Sequence, residues 1–149
     1  MNLNRDFQEF VELFVAHEVE FLVVGGYALA AHGHPRYTKD LDVWVWVGPE
    51  NARRVLAAVE EFGFGGLGLT VEDFQATDSM IRLGNEPQRI DILTYASGLD
   101  FREAYGNRVY VTIGDVKVPF ISPKDLRTNK LAAGRPRDIA DVADLSNPE

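Results

Sequence analysis

The stretch Asp40-Leu41-Asp42-Val43-Trp44-Val45-Trp46-Val47 alternates acidic or aromatic residues with aliphatic ones, as a strand of a sheet does. In a strand, residues two apart share a face, so Asp40, Asp42, Trp44 and Trp46 point one way and the aliphatic residues point the other way. The aliphatic face can pack on helices. The opposite face presents two carboxylates about 7 Å apart at one end of the strand.

A third carboxylate has a similar setting. Asp91 lies between Ile90 and Ile92 in a second predicted strand, residues 89–94. If the two strands are neighbours, about 4.8 Å apart, Asp91 converges with Asp40 and Asp42. Such charges repel one another by roughly a few kcal/mol per pair at an effective dielectric of ~20, so a cation is expected among them. Carboxylate ligands without histidine or thiolate favour Mg²⁺ or Mn²⁺, which can activate an attacking oxygen and stabilise a leaving phosphate.

An Asp-x-Asp pair by itself is more often a pair of solvated charges on an edge strand than a functional site. The glycines Gly25 and Gly26 strengthen the functional interpretation, because they end a short apolar strand upstream of the acidic one. Glycine lets the backbone approach a phosphate closely, and the N–H groups of a following helix can bind an anion. The alternative is a plain turn from strand to helix. The sequence after Gly25 is not G-x-G-x-x-G, so a Rossmann site is disfavoured.

The rest of the chain predicts alternating helices and strands in one domain, residues 1–149. Glycine-rich residues 62–69 are expected to form a loop. Ser122-Pro123-Lys124-Asp125 is typical of a helix start, and Gly134 of its end. Helices are predicted at residues 5–18, 27–31, after Pro49, from 122 to Gly134 and over 136–145; strands are predicted at 21–24, 40–47, 79–83, 89–94, 108–113 and 116–120.

Composition narrows the class of protein. A chain of 149 residues that is 46% hydrophobic and 26% charged is typical of a globular domain with its own core. It has no cysteine, which excludes disulfides and thiolate metal sites. A net charge of −8 disfavours a general nucleic-acid coat protein. No signal peptide or long apolar run is evident, so a cytoplasmic location without a membrane span is expected.

The order Val23-Val24-Gly25-Gly26, Asp40-Leu41-Asp42-Val43 and Ile90-Asp91-Ile92 resembles the signature of the polymerase-beta-like nucleotidyltransferase superfamily. Residues 33–42 and 121–138 are similar to the small bacterial branch that contains AbiEii-type toxins and DUF6036-like proteins. The resemblance spans about residues 20 to 145. It implies an α/β (α+β) two-layer nucleotidyltransferase fold, with a mixed, mostly antiparallel sheet packed by helices.

The resemblance also implies roles for individual residues. Gly25 and Gly26 would hold the nucleotide phosphates, and Asp40 and Asp42 would bind the metal that accompanies the triphosphate. Asp91 would complete the second metal site and help activate the acceptor hydroxyl. Further nucleotide contacts are assigned to cationic and polar residues near the site: Arg36, Thr38, Lys130, Arg135 and Arg137. A polar loop or a solvated helix face is the competing interpretation for these five. Trp44 and Trp46 are expected to pack in the sheet, although either ring could stack a base. His32 and His34 are expected to be loop residues.

These observations predict a metal-dependent enzyme that moves a nucleoside monophosphate from an NTP to an acceptor hydroxyl and releases pyrophosphate. The acceptor (tRNA, protein or small molecule), the base and a toxin–antitoxin context stay open. A protein partner or a second copy of the chain could complete the acceptor surface. Two rivals remain: a non-catalytic antitoxin or binding module on the same fold, and a metal-dependent phosphohydrolase that uses the same carboxylates.

Overall fold

The fold is taken from a computed structural model, which describes residues 3–33, 40–85 and 88–146. The helices are α1 (Arg5–Ala16), α2 (Gly25–Ala31), α3 (Pro49–Val59), α4 (Phe101–Gly106), α5 (Pro123–Ala133) and α6 (Pro136–Ser146). The strands are β1 (Phe21–Val24), β2 (Leu41–Val45), β3 (Met80–Leu83), β4 (Ile90–Leu93), β5 (Val109–Ile113) and β6 (Val116–Phe120).

The described strands form one mixed sheet in the order β3-β4-β2-β1-β6-β5. Strand β2 pairs antiparallel with β1 and parallel with β4, while β3–β4 and β5–β6 are antiparallel and β1–β6 is parallel. The predicted mixed, mostly antiparallel sheet packed by helices is confirmed. The strands β4, β2 and β1 are neighbours in the middle of the sheet. Residues near the ends of these three strands can therefore meet at one edge of the sheet, meaning the side where the strand ends lie.

Helix α1 covers the aliphatic face of the central strands. Asn4 caps it by accepting a hydrogen bond from the backbone N–H of Phe7 at 2.9 Å. Its Phe14 packs edge-on against Phe21 of β1, with ring centroids 5.2 Å apart. Phe21 is opposite Val45 in the β1–β2 pair, so α1 lies on the valine face of β2 that the alternation predicted for helix packing.

The opposite face of β2 is covered at its far end by α4, a helix that the sequence pattern did not reveal. Trp44 is only 2% exposed and packs edge-on against Phe101 of α4, with centroids 5.1 Å apart. Trp46 also contacts Phe101, and the Arg102 guanidinium lies 4.1 Å from the Trp46 ring centroid. The expected packing role of both tryptophans is therefore confirmed.

The glycine-rich region after α3 differs from the predicted loop. Glu60–Phe64 and Gly65–Leu67 form short helical turns, and Val71–Phe74 forms another. Gly63 and Gly68 have positive φ angles of 117° and 73°, which break the helical path without a side-chain clash. Phe62 packs edge-on against Phe10 of α1, with centroids 5.2 Å apart, and this contact anchors the segment to the core.

A buried asparagine holds the ends of β1, β2 and α3 together. The side-chain amide of Asn51 donates to the backbone oxygens of Glu20 and Trp46 at 3.1 and 2.9 Å, and its oxygen accepts from the Glu20 N–H at 2.7 Å. Asn51 is 3% exposed, so all three bonds are shielded from water.

Among the helices described, none is long and apolar enough to cross a membrane.

Candidate functional site

The parallel pairing of β2 with β4 places Asp42 directly opposite Asp91. Neighbouring strands lie about 4.8 Å apart, so two carboxylates on the same face are close together. Asp42 is also opposite Val24 on the other side, and Val24 is the residue before Gly25. The glycine turn and two of the three predicted acids therefore meet at one edge of the sheet.

Asp42 has an unfavourable electrostatic environment as an anion. Burial is the largest cause that raises the pKa of Asp42 to about 7, and the negative charges of Asp91 and Asp40 raise it further. The positive charges of Arg89 and Lys130 act in the opposite direction but do not compensate. Asp42 thus lies where a nearby cation would stabilise the charged form.

Two arginines contact the other two acids. Arg89 precedes β4 and donates from Nη2 to Oδ2 of Asp40 at 2.5 Å, while its Nε is 3.5 Å from Oδ1 of Asp91. Arg82 of β3 donates from Nε to the same Asp91 oxygen at 3.1 Å. Asp91 is 4% exposed, whereas the Arg82 side chain is 47% exposed. Two guanidinium groups thus balance the charge of Asp91, and one of them also reaches Asp40.

The three acids offer oxygen donors for a divalent cation. Oδ1 of Asp40 is buried and has no hydrogen-bond partner among the described residues. The donors are all carboxylate oxygens, which suit Mg²⁺ or Mn²⁺. However, within residues 3–33, 40–85 and 88–146, no three acidic or histidine side chains are grouped as ligands of one ion. The donor chemistry fits a divalent ion, with Arg89 bridging two of the three predicted ligands.

Gly25 lies directly against Asp42, and a side chain at this position would clash with that carboxylate. A Cβ atom at this position would lie 2.3 Å from Oδ2 of Asp42, far inside contact distance. Gly25 also has a φ angle of +70°, which side chains rarely tolerate. Both properties require glycine here. Gly26 is the next residue and is buried in the first turn of α2.

Lys130 of α5 is 6% exposed and is close enough for its charge to lower the pKa of Asp42. Nζ of Lys130 is 3.7 Å from Oδ1 of Asp138 in α6. Arg135 donates from Nε to Oδ2 of the same carboxylate at 2.6 Å. Burial acts to raise the pKa of Asp138, but the Arg135 hydrogen bond and the two positive charges lower it overall. Asp138 is therefore an anion that holds Lys130.

The sequence matches a protein family described as nucleotidyltransferases of unknown function (DUF6036) over residues 1–146. The chain belongs to this family. No curated protein matches it by sequence comparison.

Solved structures of nucleotidyltransferase-like proteins share the fold. A proposed nucleotidyltransferase from Thermotoga maritima is 16% identical with a TM-score of 0.62, over 97% of this chain and 92% of the other. An antigenic nucleotidyltransferase-like protein from Paracoccidioides brasiliensis is 18% identical with a TM-score of 0.57, over 93% and 72%. The lincosamide antibiotic adenylyltransferase LnuA, bound to lincomycin, is 13% identical with a TM-score of 0.56, over 99% and 98%.

The nucleotidyltransferase fold brings together most of the residues singled out in the sequence. Asp40, Asp42 and Asp91, both glycines and Lys130 lie around the same sheet edge, whereas Arg135 is 71% exposed and turned to Asp138. Arg36, Thr38 and His34 lie outside the described residues, as does the side chain of Arg137. Nε2 of His32 lies 2.7 Å from the backbone oxygen of Ile121, a structural contact.

Sequence reasoning missed Arg82, Arg89 and Asp138. Arg89 lies two residues before Asp91, so the alternation that placed Asp91 on the acidic face also places Arg89 there. Arg82 carried no comparable signal, because its position depends on β3 being the outer neighbour of β4. Lys130 lies in α5 and Asp138 in α6, so only the packing of these two helices brings the two side chains together.

A cavity of about 560 Å³ lies near the carboxyl ends of β2 and β4, away from the three acids. Its walls include Trp46, Thr94, Tyr95 and Phe101, and it contains none of the three acids. Asp42 and Asp91 are near the amino ends of their parallel strands, whereas the cavity is at the carboxyl ends. The cavity is therefore separate from the acidic edge.

Proposed function

We propose that this protein catalyses the divalent-metal-dependent transfer of a nucleoside monophosphate from an NTP to an acceptor hydroxyl. The observation that carries the proposal is the pairing of Asp42 with Asp91 on parallel strands, next to a glycine turn. Burial and the charges of Asp91 and Asp40 disfavour the ionised form of Asp42, so a further cation beside it would stabilise the site. Family membership supports the same reaction class.

Binding of the nucleotide would involve the glycine turn and the lysine of α5. Gly25 and Gly26 would let the triphosphate approach the backbone beside Asp42. Lys130, kept in place by Asp138, would neutralise phosphate charge from the α5 side. Further proposed contacts are Arg36 and Thr38, which precede β2 in the sequence, and Arg135 and Arg137, which follow α5.

In the proposed reaction, the acceptor oxygen attacks the α-phosphorus and forms a new P–O bond. The bond between the α-phosphorus and the bridging oxygen breaks, and pyrophosphate leaves with that oxygen. Asp91 would take the proton of the acceptor hydroxyl. Asp40 and Asp42, with Asp91, would hold Mg²⁺ or Mn²⁺, which supplies charge neutralisation for the phosphates and the attacking oxygen.

The test is incubation of the pure protein with each radiolabelled NTP, Mg²⁺ and a cell extract, followed by identification of the labelled product. Asp42→Asn and Asp91→Asn should each lower the transfer rate at least ~100-fold, because each removes a charged group that acts on the transferring phosphoryl. Asp115→Asn, in the exposed β5–β6 turn, is the matched control. Label transfer at parental rates by both site variants would overturn the assignment, and release of phosphate instead of pyrophosphate would indicate a hydrolase.

One observation favours a rival function. Asp40 and Asp91 already have arginine partners, as acids in a purely structural network do. A non-catalytic antitoxin or binding module on this fold would keep these ion pairs and bind its partner without turnover. Such a protein would show no label transfer with any NTP and no effect of Mg²⁺ on its melting temperature.

A further inference from the structure

Arg89 contacts two of the three acids directly, and its side chain is only 22% exposed. Its position is fixed by the sheet: the Leu41 N–H donates to the backbone oxygen of Arg89 at 3.0 Å, which aligns the residue with Asp40. From there Nη2 binds Asp40 and Nε approaches Asp91. One guanidinium therefore spans two carboxylates, one just before β2 and one in β4.

Both bridged carboxylates belong to the metal site in the proposed function, on which this inference rests. A guanidinium and a divalent cation are both attracted to carboxylate oxygens, and neither can occupy the position of the other at the same oxygen. Asp40 uses Oδ2 for Arg89, while its buried Oδ1 has no hydrogen-bond partner among the described residues. For Asp42, in contrast, no hydrogen bond from Arg82 or Arg89 is among the causes that shift its pKa.

We propose that Arg89 is a resident counter-cation that binds Asp40 and Asp91 in the metal-free protein and must leave these oxygens when a metal ion enters. Arg89 is then a positioning residue that sets the metal affinity of the site. It screens the repulsion between the two acids until the ion arrives. Arg82 plays a smaller part, because it contacts Asp91 alone and its side chain is half-exposed.

Metal titration by calorimetry tests this competition, with Mn²⁺ and with Mg²⁺ at fixed pH and without nucleotide. Arg89→Gln should bind Mn²⁺ about tenfold more tightly than the parent protein, a factor that corresponds to about 1.4 kcal/mol. Arg89→Lys keeps the charge but its compact ammonium cannot bridge both acids, so its affinity should be intermediate. Arg89→Lys also provides the comparison if Arg89→Gln fails to fold, as checked by circular dichroism.

Two controls separate bridging from general electrostatics. Arg82→Gln removes the same charge from the same sheet face and should raise the affinity less than Arg89→Gln does. Arg53→Gln, on the exposed face of α3 where Arg53 pairs with Glu50, should leave it unchanged. Equal increases for the Arg82 and Arg89 variants would overturn the bridging role, and weaker metal binding by Arg89→Gln would indicate that the arginine assembles the site instead.

Side-chain NMR follows Arg89 directly in the parent protein. The Nε–H signal of Arg89, assigned by its loss in Arg89→Lys, should shift during Mg²⁺ titration with the same midpoint as calorimetry. A signal that stays in place while Mg²⁺ binds would refute the displacement. If neither the parent nor any Arg89 variant binds Mn²⁺ or Mg²⁺, the metal-dependent function fails as well. If the parent protein and the Arg89 variants bind metal with equal affinity, only the inference about Arg89 fails.

Discussion

Replacing Asp42 with Asn should stabilise the metal-free protein. The folded state raises the pKa of this carboxyl from 3.8 to about 7, a difference of about three units. At 1.36 kcal/mol per unit this corresponds to at most about 4 kcal/mol of destabilisation when the group is ionised. Because Asp42 is only partly buried, solvent screening reduces the expected gain for Asp42→Asn to about 2 kcal/mol at pH 8.

The pH dependence has a definite sign. A raised pKa means that the folded state binds more protons than the unfolded state between about pH 4 and 7, so the free energy of unfolding falls as pH rises through this window. The difference between Asp42→Asn and the parent should be full above pH 7 and vanish near pH 4. Adding Mg²⁺ should stabilise the parent more than the variant, since the ion binds only the folded state and the variant lacks one ligand.

Urea unfolding at pH 4.5, 6 and 8, with EDTA or with Mg²⁺, measures these differences. Asp115→Asn, which removes an equal charge from an exposed turn, is the control and should show neither effect. The reasoning is refuted if Asp42→Asn is no more stable than the parent in EDTA at pH 8. It is equally refuted if Mg²⁺ stabilises the parent and Asp42→Asn by the same amount.

Further predictions follow from other contacts at and around the site. Gly25→Ala should fold with a loss of about 1 to 2 kcal/mol and weaken metal–NTP binding at least ~10-fold by calorimetry, since its Cβ would displace the neighbouring carboxylate. Gly68→Ala, at a matching φ angle of +73° in open space, should lose stability without losing affinity. Lys130→Ala should weaken NTP binding in the same assay, whereas Lys124→Ala, on the exposed side of the same helix, should not. Asn51→Ala should cost about 2 to 4 kcal/mol in urea unfolding, because the Glu20 N–H and the Trp46 oxygen lose their partner, while the Glu20 oxygen keeps the Trp46 N–H. A cost under about 1 kcal/mol would contradict that account.

The strand positions of Asp42 and Asp91 were predictable, because each acid interrupts an apolar run. That their two strands are neighbours was only a condition of the sequence argument, and the pairing of β2 with β4 meets it. The β5–β6 hairpin and the start of α5 were predictable from local turn and capping residues, and Ser122 does accept a hydrogen bond from the Asp125 N–H at 3.1 Å. These features depend only on neighbours in the chain.

Features that depend on packing between distant elements could not be read from the sequence. Helix α4 has six residues, too few to show a helical period of apolar residues in the sequence. The role of Phe101 depends on its contact with Trp44, which is distant in sequence. The sequence presented Gly25 and Gly26 as equivalent, and the contact with Asp42 assigns the steric requirement to Gly25. The bridge from Arg89 to Asp40 needed the strand register, because the two residues are remote in sequence.

The parallel pairs β2–β4 and β1–β6 also affect how the chain folds. Asp42 and Asp91 lie roughly 50 residues apart in sequence, and Val23 and Phe120 roughly 100, so each pairing must close a long loop before its contacts form. The β5–β6 hairpin closes locally and can form early. We therefore expect slow assembly of the sheet centre, and nucleotide binding during refolding should appear only with the final, slowest phase.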